Sequence, residues 1–438
     1  MARTDWRLAA TLVLWLLTAL LAPAAARQAP DDAPPPAMAA TGPAADVAGP
    51  ADPDDAVAAS GTAGAAASAD ATAPRIGVVT MAPGEIFFER FGHNAIVVDD
   101  PATGRRISYN FGYFDLDEPN FVGNFIHGQM RYWLVALPLD QDMARYRALG
   151  RGASLQWLDL DPAQARALAR SLAERASGDG ARYRYDYFTS NCSTQVRDAL
   201  DQALGGALRT QLTGRSQGNT YRSESVRLAT PAPWMAIGFH LGLADYADRP
   251  LSRWEESFIP MRLRDALREV RLADGRPLVR SEETLIEHRI GQPPAEAPRL
   301  RIPALFTGLG LALVALWLGR RAPRTLAGLA LGFWTVAGLA GLVMLFIWFG
   351  SAHVAGHGNE NLLLLSPLCL LLLPGGWARL RGREPSVRFR WLLWIVVACA
   401  ALAGFLKFMP FRPQENVEWV LLLLPLHWAL LRRLDPGR

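Results

Sequence analysis

Hydrophobic positions are spread unevenly along the chain, and their spacing changes four times. An apolar run from Leu8 to Ala22 follows Arg3 and Arg7 and precedes Pro23-Ala24-Ala25-Ala26. That layout predicts an export signal over 1–26, cleaved near Ala26, because the run falls short of the ~20 residues a spanning helix needs. Residues 27–74 are Ala, Pro, Asp, Gly and Ser with almost no large apolar side chains, so they predict a disordered tether. From Arg75 the pattern becomes that of a folded domain. Ile76-Gly77-Val78-Val79 and Ala95-Ile96-Val97-Val98 read as strands, and Asp99 to Gly104 as the turn that returns the chain through Ile107 to Phe111 as a hairpin. Asp161-Pro162-Ala163-Gln164 carries an N-cap, a first-turn proline and a capping-box glutamine, predicting a helix to about Ala176. Tyr183, Tyr185 and Tyr187 alternate with polar residues as a half-buried strand would. A second helix is expected from Cys192 to Gly205-Gly206. The expectation is an α+β domain over 75–293. Five apolar stretches then follow, at about 302–319, 325–349, 361–377, 391–409 and 417–431, predicting an all-α membrane domain over 302–431.

Charge sharpens that topology. The 438 residues suffice for one soluble and one membrane domain, and half are hydrophobic. The basic excess is local: Arg320, Arg321 and Arg324; Arg379 to Arg390; and Arg432, Arg433 and Arg438 each flank an apolar stretch, which is a topology signal and not a nucleic-acid patch. The loops at 350–360 and 410–416 are nearly free of positive charge. With arginine loops in the cytoplasm, the soluble domain lies outside it and the C-terminus inside, in agreement with the export signal. The expected location is the inner membrane of a bacterium, the soluble domain facing the periplasm.

Cysteine usage points to chemistry. Of three cysteines only Cys192 lies outside the apolar stretches, so it has no intradomain disulfide partner and is a candidate nucleophile. Asn191-Cys192-Ser193-Thr194 places the thiol at a helix mouth, where partial positive charge and free N–H groups favour the thiolate. The same N–H groups are suited to an oxyanion, so Asn191 and Ser193 are candidate substrate or oxyanion contacts. Arg90-Phe91-Gly92-His93 puts an imidazole on the first hairpin strand, the base such a thiol needs. Asn110, on the returning strand, is the candidate to orient it. In the loop 351–361, His353 and His357 stand at the spacing of two ligands on a helical face with Glu360 near, but Gly356 and Gly358 argue against a helix there; neither a metal nor a cofactor is expected. The loop reads as a polar cap between two membrane helices, with the alternative that His353, Asn359 and Asn361 line an entry to the site.

Phe91-Gly92-His93, then Tyr109-Asn110-Phe111-Gly112-Tyr113-Phe114-Asp115, Pro119-Asn120-Phe121 and Asn191-Cys192-Ser193-Thr194 with Arg197-Asp198, resemble the Lnb-type N-terminal periplasmic domain family. The likeness continues through Pro233-Trp234, Asp248-Arg249-Pro250 and Phe258-Ile259-Pro260 to His353, Asn359, Asn361-Leu362-Leu363 and Pro367. It implies an apolipoprotein N-acyltransferase working through Cys192 and His93. The order of histidine strand and cysteine helix is also similar to the permuted papain-like fold of lecithin-retinol acyltransferase and NlpC/P60 proteins. The implied reaction moves an acyl chain from a membrane phospholipid, through a Cys192 thioester, to the α-amine of diacylglyceryl-cysteine lipoproteins. Two other classes stay open. An NlpC/P60-like cysteine amidase or peptidase would use the same dyad on cell-wall peptides without needing five membrane segments, and a membrane-tethered binding module would keep Cys192 as a buried structural residue.

Overall fold

The computed structural model describes residues 73–410 and 414–435. The expected signal and nearly all of the expected tether lie outside the described residues.

Seven strands form one antiparallel sheet: β1 (Arg75–Met81), β2 (His93–Asp100), β3 (Arg105–Tyr113), β4 (Arg131–Pro138), β5 (Ala153–Leu158), β6 (Arg182–Arg184) and β7 (Val279–Ile286), in spatial order β6-β4-β3-β2-β1-β5-β7. The expected hairpin is β2–β3, in the register Ala95 opposite Asn110. Alternation of side chains sends the two halves of each strand's apolar set to opposite faces. Ile76, Val78, Ile96, Val98, Tyr109 and Phe111 belong to one core, and Val79, Met81, Ala95 and Val97 to another. Burial on both faces explains why β1 and β2 read as continuous apolar runs.

The helices of the soluble domain are α1 (Phe121–His127), α2 (Leu139–Ala148), α3 (Pro162–Ser177), α4 (Cys192–Ala203), α5 (Ala207–Leu212), α6 (Tyr221–Ala229), α7 (Pro233–Gly242), α8 (Arg253–Glu256) and α9 (Pro260–Leu267). On one face α3, α4 and α9 cover the sheet with Leu168, Leu172, Val196, Leu200, Leu263 and Leu267. On the other, α2 does so with Leu139, Met143 and Tyr146. The capping box at Asp161 and Gln164 starts α3 as expected. The tyrosine alternation misleads: β6 holds three residues and the chain then turns, because the Asp186 carboxylate accepts from the N–H groups of Phe188 and Thr189.

The membrane domain contains α10 (Arg301–Arg321), α11 (Pro323–Gly350), α12 (Leu373–Leu380), α13 (Val387–Leu406) and α14 (Val417–Leu434). Four segments are long and apolar enough to cross a membrane: Arg301–Arg321, Pro323–Gly350, Val354–Leu380 and Val387–Leu406. The third is not one α-helix. Pro367 and Pro374 withhold donors and Ser366 and Asn359 cap short 3-10 turns, so the chain advances in 3-10 pieces before α12. Such backbone is tolerated at membrane depth when protein surrounds it. A Cβ at Gly341 of α11 would sit 2.3 Å from the Leu365 carbonyl oxygen, so only glycine permits that close contact. The fifth expected stretch is helical too, as α14. Its 18 residues include Glu418, Arg432 and Arg433, and it packs along α10.

The two domains are locked together. The C-terminus of α7 leaves carbonyls without helical partners, and Asn359 Nδ2 donates to three of them, on Leu241, Gly242 and Leu243, at 2.6, 3.1 and 3.3 Å. Asn361 Nδ2 adds a bond to Leu241 O at 3.0 Å. Gln414 and Asn416 hold those two asparagines from the α13–α14 loop. The buried Arg222–Asp248 pair braces the same corner, and Asp248 accepts from the Glu415 N–H. The loops at 351–361 and 414–416 thus meet the soluble domain, and Arg320 and Arg321, Arg379 and Arg381, and Arg432 and Arg433 lie at the other ends of their helices.

Candidate active site

The site is built where β2 begins and α4 begins. A capping box starts α4: Asn191 Oδ1 accepts from the Thr194 N–H, and Thr194 Oγ1 from the Asn191 N–H. The cap fixes Cys192 as the first helical residue. Opposite it, Gly112 sits at φ +91° in β3, where the β3–β4 register shifts, a conformation that favours glycine. A Cβ there would lie 3.7 Å from both Cys192 Cβ and the Tyr183 hydroxyl, so Gly112 forms the floor between the two.

The Cys192 thiol and the His93 imidazole lie close enough for each to shift the other's titration, the sulfur raising His93 and the imidazole lowering the thiol. His93 Nε2 donates to Asn110 Oδ1 at 3.0 Å, which leaves Nδ1 for the sulfur. Asn110 is held in turn. Its Nδ2 lies 2.9 Å from Asp142 Oδ2 and 2.9 Å from Ser108 Oγ, and Ser108 Oγ donates to the same carboxylate oxygen at 2.7 Å. Ser108, Asn110 and Asp142 are all buried. The structure brings His93, Cys192 and Asn110 together, and beside them Asp142, which the sequence did not single out. The residue lies on a polar stretch of α2, Asp140-Gln141-Asp142, where nothing separates a solvated carboxylate from a buried one.

Electrostatics favour a thiolate–imidazolium pair. Burial pushes the Cys192 thiol up, but the imidazole and the N–H groups of Asn94 and Ser193 outweigh it and hold the thiol below its ordinary value. Burial pushes His93 down, yet the facing sulfur, Asp142 and Asn110 together raise it. Tyr183 presents a buried hydroxyl with no hydrogen-bond partner. Burial and the neighbouring sulfur push its pKa well up, so it stays a donor. An unpaired buried hydroxyl is costly, and this one adjoins the nucleophile. Sequence reading took it only as the buried face of a strand.

The other sequence candidates lie differently. The Asn191 side chain is spent on the Thr194 cap and on the carbonyls of Tyr187 and Phe258. The Ser193 hydroxyl is fully buried between Asn94 and Ser257. Both side chains are committed to protein partners, which leaves the backbone N–H groups of this segment for an oxyanion. Asn359 and Asn361 have no exposed surface and cap α7, so they do not line an entry. His353 is half-buried, with Nε2 2.9 Å from Phe125 O and its ring stacked on Tyr187. His357 Nε2 pairs with Ser351 O. Among the described residues no group of three or more His, Cys, Asp or Glu is placed to hold a metal ion.

Residues 63–228 match the model of the Lnb N-terminal periplasmic domain, and residues 300–434 that of the Lnb transmembrane domain, together well over half of the chain. The chain belongs to the Lnb-type family. His93, Asn110, Asp142, Tyr183 and Cys192 all fall inside the first of the two Lnb matches. Membership makes this a membrane protein with a periplasmic N-terminal region, and points to a membrane enzyme of the lipoprotein N-acyltransferase kind. Neither the curated proteins nor the solved structures gave a match.

Proposed function

We propose that the protein transfers an acyl chain from a membrane phospholipid to the α-amine of diacylated lipoproteins by a ping-pong mechanism on Cys192. The Cys192 thiolate attacks an ester carbonyl; the C–S bond forms, the C–O bond breaks, and imidazolium His93 gives its proton to the leaving alkoxide. The lipoprotein amine then attacks the thioester. A C–N bond forms, the C–S bond breaks, His93 takes the amine proton and the thiolate returns. Asn110 orients the imidazole and Asp142 holds Asn110, a positioning role. The Tyr183 hydroxyl and the N–H groups at the α4 mouth stabilise the tetrahedral oxyanion.

The observation that carries this reading is a thiol–imidazole pair on a domain clamped to membrane helices, within reach of substrates embedded in a leaflet. The thiol helix packed against an antiparallel sheet, with the histidine strand earlier in the chain, supports a permuted papain-like arrangement. The three arginine clusters, at the ends away from the periplasmic domain, support a cytoplasmic C-terminus in the inner membrane of a bacterium.

The test uses purified protein in detergent with phospholipid and a diacylated lipopeptide. A free amino terminus should accept the acyl group as an amide, and an N-blocked lipopeptide should not. Cleavage of muropeptides without acyl transfer would replace this reading with the cell-wall amidase.

A further inference from the structure

Several large apolar side chains of the soluble domain are exposed. Phe87 and Phe88 precede His93, Val122 and Ile126 lie on α1, and Trp234 and Ile237 on α7. These residues come from three separate segments. Phe87 nevertheless stacks on Trp234, with ring centroids 6.3 Å apart, and Phe88 meets Phe114, which stacks on Phe121 of α1, so the three segments share one surface. Val122 is 66% exposed and Trp234 67% exposed, so most of each residue is uncovered by the protein itself. Soluble surfaces seldom gather such residues without a partner.

The partner is identified by what the patch adjoins. The C-terminal ends of both α1 and α7 are fixed to the loop that leaves α11. His127 O accepts from the Ala352 N–H at 2.8 Å, and Asn359 caps α7. The His127 ring meets Phe346 of α11 at 5.5 Å, and Phe346 and Phe349 are themselves exposed at that end of the helix. The exposed end of the spanning helix therefore adjoins α1 through the His127–Phe346 contact. Glu85, Asp115 and Asp117 flank the patch in the chain, and the one arginine of the Phe87 segment, Arg90, is buried, so attraction to anionic head groups is not what would hold it. Aromatic side chains at the level of the head groups are the usual mark of a membrane interface.

We infer that this rim is sunk into the periplasmic leaflet of the bilayer, so that the mouth of the Cys192 cleft opens among acyl chains. An acyl ester then reaches the thiol by lateral movement, without crossing water. The inference deepens the acyl-transfer reading by fixing the route of the lipid, yet its test does not depend on turnover.

In the full chain carrying Cys192→Ala, a single cysteine is introduced at Val122 and labelled with an environment-sensitive fluorophore. Cys369 and Cys399 are buried. The protein is reconstituted into phosphatidylcholine nanodiscs with and without a lipid nitroxide near the head of the acyl chain. A second chain is labelled at Trp234→Cys. The control label is at Ala102, on the hairpin tip at the far end of β2, which at ~3.3 Å per residue is roughly 26 Å from His93. The labels at 122 and 234 should lose most of their emission to the lipid nitroxide and resist aqueous iodide. The label at 102 should do the reverse. Iodide quenching at 122 and 234 with no effect of the lipid nitroxide would overturn the inference and leave the rim to a protein partner. That result would not touch the acyl-transfer chemistry, which the lipopeptide assay reads separately.

Discussion

Two clusters of buried asparagine side chains hold this molecule in working order, and they do so for opposite ends. At the junction, Asn359 and Asn361 spend their amides on the carbonyls of α7, and Gln414 and Asn416 close the remaining positions. Every partner there is another structural group. In the cleft, Asn110 is held just as firmly by Asp142 and Ser108, but its carbonyl oxygen goes to an imidazole whose other nitrogen faces a thiol. The same side chain closes a network in one place and aims one in the other. What separates them is whether the chain of hydrogen bonds ends on backbone or on a titratable, half-exposed pair.

Breaking the cleft should therefore cost rate without stability. Cys192→Ser should lower transfer by ~10³-fold or more, because the nucleophile and its base act as a unit. The melting temperature should hardly move, since the replacement is nearly isosteric. Steady-state assays beside thermal melts decide this, and a large drop in melting temperature would put the thiol in the structural class with the junction residues. Tyr183→Phe removes a hydroxyl with no ground-state partner, so it should reduce turnover by about 10²-fold with KM little changed. An unaltered rate would return Tyr183 to a packing role.

Breaking the junction should do the reverse. Asn359→Ala takes the side-chain donor from the Gly242 carbonyl in a buried place, while Asn361 and Arg222 still serve Leu241 and Leu243, at a cost of about 1–3 kcal/mol. A lowered melting temperature is expected, with any loss of rate recovered by cooling. A rate loss at full stability would instead restore Asn359 to the entry role that sequence reading left open for it.

The smallest effect sharpens the comparison most. A depressed Cys192 and a raised His93 define a window in which the ion pair exists, open above the thiol pKa and closed above the imidazole pKa. Asp142 is among the groups that raise His93. Asp142→Asn should therefore draw the alkaline limb of the pH–rate profile to lower pH and narrow the window from that side, with less than ~10-fold loss at the optimum. An unmoved limb would make Asp142 a merely structural partner of Ser108.

Much of this was legible from residues because the signals were local. The β2–β3 hairpin follows from apolar runs and the turn at 99–104, α3 and α4 from their caps, and the dyad from a lone cysteine at a helix mouth and a histidine on a strand. What stayed hidden depends on tertiary partners. The third apolar stretch reads as a helix, and prolines 367 and 374 break it. Asn359 and Asn361 are polar residues in a loop, which from sequence alone looks like a solvated lining; only the docking of α7 turns them into caps. Asp142 and Tyr183 carry no motif, and their parts arise from a register and a neighbour.

In the proposed mechanism Cys192 carries the acyl group. Protein incubated with phospholipid alone, with no acceptor, should gain the mass of one fatty-acyl chain, located to the peptide containing Cys192 and removable by neutral hydroxylamine. The Cys192→Ser chain should gain no such hydroxylamine-labile mass. Transfer to a lipopeptide that proceeds with no adduct at Cys192, or with the adduct on another residue, would contradict the account.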